Sequence, residues 1–158
     1  MEHHASVRFR DNMLQLIDIM LDDIEDDEYC TYLKQFYILI LGLDPKELIT
    51  RFINSTFKLW VDLYSKDMNF FIKNAGVVFS LDVVKNEDKY KRHAEKITIM
   101  IQKLQSNDDT FWPMLKKYIQ AFIKISLTYI LETNMELEHF NPIMFMKNFN
   151  ISLKIIET

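Results

Sequence analysis

The segment 111-FWPMLKKYIQAFIKISLTYILE-132 is apolar on every side but one. Lys116, Gln120, Lys124 and Thr128 recur at i, i+4, i+8 and i+12 and draw one narrow polar stripe. Nearly every other position carries an apolar side chain. That spacing is the helical period. A helix apolar around most of its circumference belongs at the buried centre of a bundle. Pro113 falls in the first turn, where its missing N–H has no helical partner to lose.

The rest of the chain supplies what such a centre needs. With 158 residues, 49% of them apolar, it is long enough to bury a real core in one domain. It has 2 Gly and 3 Pro, too few for a turn-rich, strand-dense fold. The 12 Phe, 7 Tyr and 9 Met suit a small helical core filled with large side chains. The expectation is an all-α fold: a single compact bundle of about six helices around the central apolar helix near 111–132.

Working outward, residues 9–24 read as an amphipathic helix with Phe9, Met13, Leu16, Ile17, Met20 and Ile24 on its apolar stripe. Asp26 or Asp27 is placed to cap a second helix over 28–41, with Gly42 at its exit. In 44-DPKE-47, Asp44 is an N-cap, Pro45 takes the first helical position and Glu47 completes a capping box. That helix is expected to run to about Tyr64. Asp67 opens a short helix in 66-KDMNFFI-72, and 76-GVVFSLDVV-84 is the one β-like run, read as an ordered connector. Residues 87–104 form a further helix with His93, Ile97, Met100, Ile101 and Leu104 on one side. Asn141 and Pro142 start a last one at 142–149. The domain bounds that follow are a flexible N-terminus over 1–8, a helical domain over 9–149, and an extended or frayed tail over 150–158.

Charge and motif content exclude several classes of function. Net charge is −4, with 8 basic against 14 acidic residues in the first 84 and 11 against 9 in the rest. The acids concentrate in 22-DDIEDDE-28. Counted as a calcium loop from Asp22, the sixth position is Asp27 rather than Gly and the twelfth is Leu33 rather than Glu. The acidic stretch contains no Glu-x-x-His, the element a di-metal site in a bundle needs in pairs. The cluster reads as a solvated helix junction. His3, His4, His93 and His139 show no zinc-ligand spacing, so no metal or other cofactor is expected.

The single cysteine, Cys30, excludes a disulfide within the chain and fits a reducing compartment; its acidic neighbours disfavour a thiolate. No G-x-S-x-G elbow or glycine-rich phosphate loop occurs. The longest apolar run, 36-FYILILGL-43, cannot span a bilayer, and the N-terminus lacks the apolar core of a signal peptide. The expected location is intracellular, with no membrane partner and no catalysis.

Two surfaces are candidates for binding. The segment 85-KNEDKYKRHAEK-96 presents Lys85, Lys89, Lys91, Arg92 and Lys96, which with Lys116, Lys117 and Lys124 could meet nucleic-acid phosphates. An exposed helix surface with internal ion pairs is the favoured reading of that segment. The aromatic pairs Phe70–Phe71 and Phe111–Trp112 are core anchors or, alternatively, an exposed patch for a protein partner.

Four segments in order, 9-FRDNMLQLIDIMLDDIEDDEYCTYL-33, 44-DPKELITRFIN-54, 66-KDMNFFI-72 and 111-FWPMLKKYIQAFIKI-125, resemble small all-helical proteins of large eukaryotic DNA viruses, the giant viruses. The resemblance covers about residues 9–130. Its most specific parts are the Asp44–Pro45 helix start and the Lys66–Asp67…Phe70–Phe71 element. It implies a viral origin and a structural or accessory role, in the host cytoplasm or nucleus and in the particle. Capsid or other particle proteins are the partners it implies, with self-association open as well. A nucleic-acid-associated factor using 85–96 and a host-factor mimic that binds an amphipathic peptide are the alternatives.

Overall fold

Helix α1 (His4–Asp23) buries Ala5, Phe9, Met13, Leu16, Ile17 and Met20 along one stripe. The stripe lies against α7 (Phe111–Thr133), α3 (Pro45–Thr56) and α2 (Asp27–Leu41). A computed structural model describes residues 4–79 and 87–152 of the chain, and within them every regular element is a helix. The remaining elements are a 3-10 turn (Phe57–Leu59), α4 (Trp60–Ser65), α5 (Met68–Val78), α6 (Glu87–Asn107) and α8 (Pro142–Asn148).

The central helix is where its pattern puts it. Leu115, Ile119, Phe122, Ile123, Leu127 and Ile130 of α7 are sealed from water by α1 on one side and α4 on another. Phe122 meets the rings of Phe9 and Phe52 at 5.3 and 6.0 Å, so α7, α1 and α3 join at one aromatic node. Even the polar stripe is used: the Gln120 amide donates to the Tyr64 carbonyl at the end of α4, 3.0 Å away. A left-handed residue, Asn134 (φ 54°), stops the helix and returns its N–H to the Ile130 carbonyl. Asn tolerates that conformation better than most residues.

The structure differs from the sequence reading in four places. First, α1 starts at His4, so residues 4–8, expected to be a flexible N-terminus, are helical from His4 onward. Ala5 and Ser6 are buried one turn before Phe9, continuing the stripe with residues too small to announce it.

Second, the helix expected over 44–64 breaks after Thr56. The buried Thr56 hydroxyl donates to the Phe52 carbonyl at 2.6 Å and accepts the Trp60 indole N–H at 2.8 Å. Back-bonding of this kind bends helices, and the 3-10 turn absorbs the bend. It rotates Trp60 fully into the core.

Third, only half of the capping box forms. Asp44 accepts from the Lys46 N–H at 2.8 Å, while the Glu47 carboxylate turns away to pair with Arg51 one turn on. Fourth, residues 76–78 of the β-like run form the last turn of α5. Phe71, Ala75 and Val78 share one buried face there, and that burial overrides the β preference of valine. Residues 80–84 of that run lie outside the described residues.

The last part of the chain closes one end of the bundle. Asn141 caps α8 by accepting from the Met144 N–H at 3.1 Å. Phe145 then enters a ring cluster with Trp60, Tyr64, Phe140 and Phe149, whose centroids lie 4.7–6.2 Å from its own. Contacts of this geometry add about 0.5–1.5 kcal/mol each beyond burial. Of the tail, Ile151 is tied back by its N–H to the Met146 carbonyl at 2.8 Å, and residues 153–158 lie outside the described residues.

Candidate functional site

The acidic junction that dominates the sequence is the start of a seam between α2 and α6. Asp26 caps α2 through the Glu28 N–H at 2.9 Å. From α6, Lys103 reaches Asp26 at 3.6 Å and lies 4.8 Å above the Tyr29 ring. Two turns earlier on α6, Lys96 reaches Glu28 at 3.8 Å and lies 4.9 Å above the Tyr32 ring. One turn earlier again, His93 sits between Tyr32 and Phe36, with ring centroids 5.7 Å from each.

The order runs up α2 and down α6, so the two helices are antiparallel along the seam. The ion pairs are partly exposed and individually worth little, about 0–1 kcal/mol. The ammonium–ring contacts add about 0.5–1 kcal/mol each at such sites. Two of the six acids in 22–28 thus have cations brought to them by a distant helix. Among the described residues, no group of three or more His, Cys, Asp or Glu is arranged to hold a metal ion.

At the end of this seam His93 is buried, with 5% of its surface exposed. Its Nε2 lies 3.0 Å from the carbonyl of Phe79, the residue that ends α5. A carbonyl can only accept, so Nε2 carries the hydrogen. Nδ1 is then the acceptor for the Tyr32 hydroxyl. Because burial disfavours the charged ring, the imidazole is assigned as neutral. Burial lowers its pKa below the ordinary histidine value, and the hydrogen bond to the Phe79 carbonyl opposes that shift in part.

The described residues considered for nucleic acid lie on two helices, α6 and α7. Lys96 is committed to Glu28 and Tyr32. Lys89, Lys91 and Arg92 are exposed near the start of α6. Lys116 and Lys117 lie in the second turn of α7, which follows the turn at the C-terminal end of α6. At a rise of about 1.5 Å per residue, Arg92 stands roughly 22 Å from that end. Lys117 and Lys124 are exposed and Lys116 is half-buried. Lys85 lies outside the described residues.

The aromatic partner patch is corrected by burial. Phe71 and Phe111 are core residues, and Phe70 and Trp112 are half-buried against the same core. Phe71 packs on Trp112 at 5.6 Å and on Phe79 at 6.2 Å, joining α5 to the start of α7. Phe71 and Phe111 anchor the bundle, while Phe70 and Trp112 keep part of their surface in water.

An exposed apolar face lies elsewhere, on α2. Leu33, Phe36 and Ile40 point inward, while Ile38, Leu39 and Leu41 stay in water, Ile38 with 70% of its surface exposed. Ile38 and Leu41 are one turn apart and flank Tyr37, which lines a shallow open groove of about 430 Å³ against α1. Asp11, Asn12, Leu14, Gln15 and Asp18 form the α1 side of that groove. The sequence does not single out these leucines and isoleucines, because 36-FYILILGL-43 is apolar on all sides. Periodicity there does not say which side a neighbour covers.

No described helix is long and apolar enough to cross a membrane. Comparison of the chain with protein-family models, with curated proteins and with solved structures finds no match.

Proposed function

We propose that this protein is a non-enzymatic protein-interaction module whose contact surface is the outer face of α2. The observation that carries this reading is the set Ile38, Leu39 and Leu41, exposed together beside the α1–α2 groove. Large aliphatics clustered in water at a helix end favour association with another apolar surface. Taken with the resemblance to giant-virus proteins, the reading extends to a structural component of the virus particle that docks onto capsid or other particle proteins.

The test is affinity capture from the native source with a nuclease-treated control, run in parallel for the wild type and for Ile38→Asp/Leu41→Asp. Recovery of particle proteins by the wild type alone, with or without nuclease, supports the reading. A strictly monomeric protein that captures nothing disposes of it.

Exposed Lys89, Lys91 and Arg92 support the second reading, a nucleic-acid-associated factor. That reading expects binding that weakens steeply with salt, and nothing detectable at low salt rejects it.

A further inference from the structure

We propose that His93 is an acid-operated latch: it fastens the end of α5 and the first turns of α6 to α2, and it opens when the imidazole takes up a proton. Three elements meet at this one ring. Tyr32 comes from α2, the Phe79 carbonyl from the end of α5, and His93 itself from α6. Phe36 of α2 completes the cage. The neutral ring satisfies both partners at once, donating through Nε2 and accepting through Nδ1.

A second proton on Nδ1 upsets this arrangement. The Tyr32 hydroxyl has been the donor there and must turn to become an acceptor. The ring also becomes a cation in a buried, largely aromatic cage. From α2 the cage presents Tyr32 and Phe36, with Glu28 one turn before Tyr32 and already paired with Lys96. From the end of α5 it presents the Phe79 carbonyl. On α6 itself, Lys89, Lys91, Arg92, Glu95 and Lys96 lie within about one turn of His93. Burial in this cage disfavours an imidazolium, and opening the latch to water relieves the conflict.

The sign follows from linkage. The closed form holds His93 below its ordinary pKa of 6.5, so it binds fewer protons than the open form. Closure is complete above about 6.5, weakens as pH falls below that value, and stops weakening below the closed-state pKa. Within that window the closed-to-open ratio falls about tenfold per pH unit. The distant node of α1, α3 and α7 does not contain the ring, so the response is local.

Amide hydrogen exchange at pH 7.5 and pH 5.5, corrected for intrinsic rates, tests the latch. The expected result is lost protection over 74–79 and 87–98 at the lower pH, with α1 and α7 unchanged. His93→Gln keeps one donor and one acceptor but cannot titrate, and the expected variant shows no such pH response. His139→Gln, at an exposed position, should respond like the wild type. An acid response that persists in His93→Gln overturns the proposal. Should that variant fail to fold, a proton NMR titration of His93 in the wild type decides. Titration below 6.5 together with lost protection upholds the latch, and titration at or above 6.5, or without lost protection, rejects it.

Discussion

Helices α7 and α2 are both built largely from big apolar residues, and they end up in opposite situations. α7 is enclosed by α1, α4 and α8 and seals ten residues from water. α2 lies at the edge, buries three, and leaves Ile38, Leu39 and Leu41 in solvent. The contrast teaches that apolar content brings a helix to the core, whereas the number of neighbours it finds there decides how much of it is covered. A side chain's contribution to stability should therefore follow its position in the packing more closely than its chemistry.

The largest expected effect is at the α7 node. Phe122→Ala removes a ring packed on Phe9, Phe52 and Tyr118. It should cost about 3–5 kcal/mol, read as a lower denaturation midpoint in guanidinium chloride with an unchanged slope. A loss below about 1 kcal/mol would mean that α7 is not the centre of the bundle.

Thr56→Val comes next. It keeps the shape of the side chain but leaves the buried Trp60 indole N–H without its acceptor. The expected loss is about 1–3 kcal/mol by the same measurement. Thr56→Ser, which retains the hydroxyl, should recover most of it.

That hydrogen bond marks the limit of what the sequence could reveal. The long stripes of α1, α6 and α7 were legible because each repeats the helical period over about three turns or more. The starts of α2, α3, α5 and α8 were legible because Asp26, Asp44, Asp67 and Asn141 are capping residues. The break at Thr56 was not, because its cause is a hydroxyl four residues from the indole it holds, inside an unbroken apolar pattern. Nor was the seam of Lys96, Lys103 and His93 with α2. Its pairs are distant in sequence, and a charge or a histidine carries no label for its partner. The aromatic pairs at 70–71 and 111–112 were open to two readings for a similar reason, since rings that fill a core and rings that meet a partner have the same composition.

Asp44→Ala sits lower on the scale. The lost cap leaves a first-turn N–H of α3 to water, and the expected cost is about 1 kcal/mol in a thermal or chemical melt. Asp44→Asn should recover most of it, since an amide oxygen also accepts. Because Glu47 is paired with Arg51 rather than with the backbone of Asp44, Glu47→Ala should cost less than Asp44→Ala.

The smallest effect on stability is expected two residues from one of the large ones, and it tests the comparison within a single helix. Ile40 is fully buried and Ile38 is mostly exposed, although both are isoleucines in the same apolar run. Ile40→Ala should cost about 2–5 kcal/mol. Ile38→Ala should stay within about 0.5 kcal/mol of the wild type. If Ile38 proves as costly as Ile40, its side chain is covered in solution by a second copy, and the cost should then fall as the protein is diluted. If it proves neutral at every concentration, the side chain stands in water in the free protein. Any loss of capture in the Ile38→Asp/Leu41→Asp protein then reports on docking, because the fold does not depend on that face.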